Sequence, residues 1–131
     1  MALQVELVSP ERIVYEGEAV LVIARTTDGE IGFQAGHVPF VGNLVSSVVR
    51  IALEPEGIQH IAVHSGFIEV SNDHVTLLSD VAELAQDIDV ARATAAKDRA
   101  EAAIRTDADN ADAIGALGRA EARLLAAQSA K

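Results

Sequence analysis

At Asp87-Ile88-Asp89-Val90-Ala91-Arg92-Ala93-Thr94-Ala95-Ala96-Lys97 the chain changes character. Upstream, apolar residues alternate with polar ones or gather in short β-branched runs. From Val90 onward the sequence is rich in alanine, carries charges at helical spacing, and has no glycine or proline until Gly115. A period near two gives way to a period near 3.6, which marks a boundary between strands and helices. Residues 1–86 are therefore read as a β domain and residues 87–131 as a helical appendage, an α+β chain overall.

Upstream of the boundary, strands are expected over Leu3–Val8, Val20–Thr26, Ile31–Phe33, Val45–Leu53, Ile58–His64, Phe67–Ser71 and His74–Leu78. The separators are Ser9-Pro10, Thr27-Asp28-Gly29, Gly36, Pro39, Glu54-Pro55-Glu56-Gly57, Ser65-Gly66 and Asn72-Asp73. These residue types supply turn geometry or positive φ at low cost. Leu3, Val5 and Leu7 alternate with Gln4 and Glu6, so the strand shows one face to a core and the other to water. Antiparallel strands of this kind close into a sandwich or barrel.

Downstream, Asp87 or Asp89 can cap a first helix near Val90, and Asp109-Asn110 offers side-chain oxygens to the exposed amides of a second. A short loop makes the two antiparallel neighbours. Ile114, Leu117, Leu124 and Leu125 form the expected contact stripe of the second helix, facing mostly alanine with Val90 and Ile104 on the first. That interface is thin, and Gly115 and Gly118 each cost about 1 kcal/mol relative to alanine. A marginal hairpin able to change conformation is the expectation.

Composition narrows the function. In 131 residues, 20 acidic side chains stand against 10 basic ones, a net charge of −10 that repels a nucleic-acid backbone. Aromatic residues make up 3% of the chain, so a ring-lined ligand pocket is not expected. The absence of cysteine removes disulfides, thiolate metal sites and cysteine nucleophiles together. No stretch approaches the roughly 18–20 apolar residues of a membrane span, and Met-Ala-Leu-Gln-Val-Glu lacks the basic and apolar regions of an export signal. A soluble, unexported protein without membrane insertion is expected.

Catalytic constellations are weak. Among His37, His60, His64 and His74, only His60 and His64 are close in sequence. A strand separates them by roughly 13 Å, against the ~2 Å bonds of a zinc ligand, so no metal site is expected. Ser65 lacks the G-x-S-x-G elbow and reads as a turn residue, and Glu16 with Glu18 reads as a solvated strand edge. Neither a Walker A loop nor G-x-G-x-x-G occurs, so no nucleotide site built on a phosphate-cradling loop is expected, nor catalysis by this chain alone.

The run Ala24-Arg25-Thr26-Thr27-Asp28-Gly29-Glu30-Ile31-Gly32, followed by Gly36-His37-Val38-Pro39, resembles a recurring segment of ATP synthase epsilon subunits. Val5–Pro10, Val14-Tyr15-Glu16-Gly17-Glu18-Ala19 and Ser65-Gly66-Phe67-Ile68-Glu69-Val70 are similar to others in the same order. Phe33-Gln34-Ala35 and Phe40 depart from the aliphatics, Pro and Leu more common there. The resemblance implies a non-catalytic rotor subunit whose sandwich binds the gamma subunit and rests on the c-ring, helping couple proton flow to rotation. Its helices would fold against the sandwich or extend along gamma toward the alpha and beta subunits, restraining ATP hydrolysis. The place it implies is peripheral, at the cytoplasmic face of a bacterial membrane. Residues 113–131 carry Arg119, Arg123 and Lys131 against Glu121, a sum of +2 that suits an acidic partner surface or simply complements the helix dipole.

Ile88-Asp89-Val90-Ala91-Arg92-Ala93 looks like the I/L-D-x-x-R-A motif associated in some members with ATP held by the folded hairpin. ATP would be a regulatory ligand, with no cofactor required. Arg92 and Arg99 lie two turns apart on one helical face, and Arg119 and Arg123 one turn apart on the partner helix. Four guanidiniums would surround a triphosphate. Ile88, Asp89 and Ala93 would sit at the adenine or the cap, with Glu83 at the sandwich edge. The plainer reading makes Asp89 an N-cap and Arg92 its surface neighbour. Two other classes stay open: a free-standing ATP sensor, and a protein- or carbohydrate-binding sandwich that its helices merely stabilise.

Overall fold

The computed structural model describes residues 2–53 and 57–129. Its strands are β1 (Leu3–Val8), β2 (Ile13–Ala19), β3 (Leu21–Thr26), β4 (Gly29–Phe33), β5 (Phe40–Leu44), β6 (Ser47–Leu53), β7 (Gly57–Ser71) and β8 (His74–Leu84). A single 3₁₀ turn, Ala85–Asp87, leads to helices α1 (Val90–Thr106) and α2 (Ala111–Ser129). The turn expected over Glu54-Pro55-Glu56, like Met1 and Lys131, lies outside the described residues.

The strand order is β2-β1-β8-β7-β5-β3-β4, with β6 pairing both β3 and β7. The strands pair antiparallel except β1 and β8, which run parallel from Gln4 opposite His74 to Val8 opposite Leu78. The fifteen-residue β7 is the spine, with β8 along one edge and β5 then β6 in succession along the other. Alternation fills the interior: Leu3, Leu7, Val22, Phe33, Ile51, Ile61, Ile68 and Leu77 are fully buried in one continuous core.

Neither β2 nor β5 is among the strand runs expected from the sequence, although Glu16 and Glu18 of β2 read as a strand edge. Both β2 and β5 contain a glycine, Gly17 and Gly42, which weakens a strand's local signal. In each, an aromatic two residues earlier on the same face covers the gap. The Tyr15 hydroxyl lies 3.2 Å, and the Phe40 ring 2.8 Å, from where a Cβ would stand on the following glycine.

Ser65-Gly66 does not end a strand, as the sequence suggests; β7 runs through it. Both residues take positive φ, 60° and 124°, while the pairing with β8 keeps one register on either side. Buried Ser79 stitches this kink, its hydroxyl accepting from the His64 amide at 3.2 Å and donating to the Ser65 carbonyl at 2.9 Å. β8 likewise continues past Leu78 to Leu84, because hydrogen bonding to the far half of β7 outweighs the polar Ser79-Asp80 interruption.

Asp89, rather than Asp87, caps α1: its side chain accepts from the Arg92 amide at 3.0 Å. Asn110 does the same for the Ala113 amide at 3.1 Å at the start of α2. The expected stripe is only partly covered: Leu117 and Leu124 are half-buried, but Ile114 and Leu125 are 52% and 56% exposed. Ala93 and Ala100 of α1 and Ala113, Ala120 and Ala127 of α2 are buried instead. Methyl-sized side chains at seven-residue spacing let the helices pack closely, and that turns the longer leucine and isoleucine away. The hairpin folds back so that α2 lies on β6 and β7, where Ala62, Ala85, Ile88, Ala126 and Ala127 form a second, smaller core.

Candidate functional site

The hairpin's position explains a run of four buried residues in β7, Ile61-Ala62-Val63-His64. Ile61 and Val63 face the main core, while Ala62 packs beneath α2. By alternation His64 shares the face of Ala62 and lies under the helix, 4% exposed.

Glu83, near the end of β8, is where sandwich and hairpin meet electrostatically. Its Oε1 accepts from Arg123 Nε at 2.6 Å, and His64 Nε2 stands 3.3 Å from the same oxygen. All three side chains are at least two-thirds buried. Burial pushes the His64 imidazole below its ordinary pKa, and Arg123 pushes the same way. Glu83 opposes this as hydrogen-bond partner and counter-charge, and Arg119 adds a smaller lowering effect.

Beside this contact, between the end of the sandwich and the hairpin, opens a cleft of about 400 Å³ lined by Val81, Glu83, Asp87, Asp89, Arg92, Ala93, Ala96, Arg99 and Arg123. Its volume falls within the ~300–1,000 Å³ of small-molecule sites. Of the residues named from the sequence, Glu83, Asp89, Arg92, Ala93, Arg99 and Arg123 line this one cleft. Among the described residues neither Arg92 nor Arg99 takes part in an ion pair. Two uncommitted guanidiniums and a third held by Glu83 face one space, an arrangement suited to a polyanion.

Two expected members stand apart. Ile88 is buried in the small core under α2, where it anchors the connection instead of lining the cleft. Arg119 is exposed and lies back along its own helix, Nη1 3.2 Å from where a Cβ on Gly115 would stand. Helical side chains tilt toward the N-terminus, and Gly115 leaves the room. Four guanidiniums around one ligand therefore become three in this arrangement. Ala96, which the sequence reading passed over, was accessible from spacing alone, lying one turn after Arg92 and one before Arg99.

The other flagged residues lie away from the cleft. His37 Nδ1 is 2.6 Å from the Val38 carbonyl and its ring meets Phe33 at 4.8 Å; His74 Nδ1 is 2.9 Å from the Asn72 carbonyl. His60 pairs with Arg50 across β6 and β7, and Ser65 Oγ donates to Asp80 at 2.8 Å. Glu16 and Glu18 are exposed on edge strand β2. Among the described residues no three acidic or histidine side chains gather as for a metal ion, and no helix is long and apolar enough to cross a membrane.

Residues 2–85 match the family model of the ATP synthase delta/epsilon chain beta-sandwich domain. The chain belongs to this family. An ATP synthase epsilon chain of Streptomyces griseus is 47% identical over 124 residues, covering 95% of this chain and 94% of that one. That of Brevibacillus brevis is 52% identical over 97 residues, 74% of each, and that of Staphylococcus aureus strain Newman 42% over 130, 96% of each. Among solved structures, a chain of the Euglena gracilis mitochondrial ATP synthase aligns over 97% of this chain and 81% of its own, with a TM-score of 0.84 at 22% identity. A chain of the Tetrahymena thermophila mitochondrial central stalk and c-ring aligns over 66% of this chain and 69% of its own, with a TM-score of 0.55 at 12% identity. At these identities both likenesses speak to the fold alone.

Proposed function

We propose that this chain is a non-catalytic regulatory subunit of the ATP synthase central stalk, and that ATP in the arginine-lined cleft stabilises its hairpin in the docked position. The observation that carries the reading is the cleft itself, in which Arg92 and Arg99 on one face of α1 converge with Arg123 of α2 at the edge of the sandwich. A triphosphate bridging α1, α2 and the sandwich edge adds attraction to the docked state alone, and a ligand shifts an equilibrium by that difference. Released, the hairpin extends along gamma toward the alpha and beta subunits and restrains ATP hydrolysis.

The sandwich binds gamma and the c-ring and so links proton-driven rotation to the catalytic subunits, peripheral to the cytoplasmic face of a bacterial membrane. Support for a partner-binding surface comes from the sheet face left open by the hairpin. Ile13, Val8, Leu78 and Phe67 stand in register across β2, β1, β8 and β7, and Ile13, Leu78 and Phe67 are 54%, 38% and 38% exposed. An apolar row of this kind fits a protein interface.

The test is reconstitution. Added to an alpha–beta–gamma assembly lacking this subunit, the full chain is expected to bind through gamma and lower ATP hydrolysis, less so at high ATP. A chain that binds ATP but ignores gamma would instead be a free-standing sensor.

A further inference from the structure

His64 is a buried titratable group at the contact between sandwich and hairpin that the nucleotide reading does not use. We propose that His64 makes hairpin docking proton-sensitive: the neutral imidazole lets Glu83 hold Arg123, and protonation of the ring releases α2 from the sandwich.

The geometry sets the direction. With its proton on Nε2, His64 donates to Glu83 Oε1, the oxygen that also accepts from Arg123. Nδ1 is buried and, among the described residues, has no hydrogen-bond partner. As a bare acceptor it is tolerated, but once protonated it becomes a charged donor with nothing to receive it, a strongly unfavourable state in a dry contact. The charged groups that act on the ring are Glu83 from β8 and Arg123 from α2, with a weaker influence from exposed Arg119. Protonation therefore sets a second positive charge beside Arg123 against a single carboxylate, with Arg119 adding a weaker repulsion.

Release reverses each of these conditions. Arg119 and Arg123 leave with α2, water reaches Nδ1, and Glu83 stays on β8 beside the ring. The released state holds the proton more tightly than the docked one, where burial and then Arg123 depress the pKa. Docking accordingly carries no proton penalty above the ordinary histidine pKa of about 6.5 and weakens as pH falls from there toward the lower docked value. Each unit separating the two pKa values changes the released-to-docked ratio about tenfold.

The chain contains no cysteine, so spin labels at Glu11→Cys and Gln128→Cys, both exposed positions, report the separation of sandwich and α2 without interference. Measured without nucleotide, the result is independent of ATP binding and of the rotor reading. Between about pH 8 and about pH 5.5, above the ordinary carboxylate range, the long-distance population is expected to grow in the unaltered chain and in His60→Gln, and to stay constant in His64→Gln. No response in the unaltered chain, or the same response in His64→Gln, overturns the proposal. Should His64→Gln fail to fold, NMR titration of the unaltered chain decides. A His64 ring titrating below its ordinary pKa while docked supports the switch; titration at the ordinary value with the hairpin docked refutes it.

Discussion

Glu83 and Arg123, forty positions apart in sequence, meet at 2.6 Å and join the last strand of the sandwich to the second helix of the hairpin. Among the described residues little else polar holds the hairpin down, and the small core beneath it consists of alanines and Ile88, with Val48 packed at its edge. Replacing Glu83 by Ala strands a partly buried guanidinium. We expect docking to weaken by about 1.5–3 kcal/mol, the usual worth of a hydrogen bond to a charged group, while the urea midpoint of the sandwich stays put. Distance labels on the sandwich and α2, read beside a strand-specific unfolding signal, separate the two effects.

Ile88 is the largest side chain in that small core. Ile88→Ala removes about 2–5 kcal/mol of burial, enough to release a hairpin otherwise held by methyl groups. Hydrogen exchange is expected to show α1 and α2 losing protection together while β7 and β8 keep theirs. Equal loss across all four elements would contradict the two-part stability described here.

Asp89 caps α1 through its bond to the Arg92 amide. Asp89→Ala is expected to cost about 1 kcal/mol and to fray the first turn, moving Arg92 before Arg99. Amide exchange at residues 91–93 reads this directly, and unchanged protection there would rule out the cap as the start signal.

Gly66 is required by its backbone. A Cβ on it would stand 1.9 Å from the Leu78 carbonyl oxygen, at a φ of 124°. Gly66→Ala is expected to destabilise the sandwich by on the order of 3 kcal/mol, because the backbone of β8 must move. A urea titration showing less than about 1 kcal/mol would mean that β7 bends elsewhere.

Where a single element's own pattern decides the outcome, the sequence is readable. The alternation of Leu3, Val5 and Leu7 defines β1, and the seven-residue step from Arg92 to Arg99 places both at one cleft. Legibility fails where a second element supplies the reason. Gly17 and Gly42 hide strands that Tyr15 and Phe40 repair. The kink at Ser65-Gly66 reads as a turn until β8 is seen pairing across it. Leu125 reads as a contact residue because periodicity cannot show that alanine faces meet more closely. His64 carried a signal of its own, a histidine ending the apolar run Ile61-Ala62-Val63, which is what a strand covered on both faces looks like. The Glu83 to Arg123 link had none, since nothing local connects the end of a strand to the middle of a helix forty residues later.

The central claim, that the docked hairpin is an ATP-responsive element, is tested most directly by calorimetric titration of the full chain with ATP, alone and with magnesium, beside the Arg92→Ala/Arg99→Ala double variant. The account predicts saturable one-to-one binding to the unaltered chain, lost in the double variant while its helical content is retained. Absence of heat at millimolar ATP, or equal binding by both proteins, would contradict it.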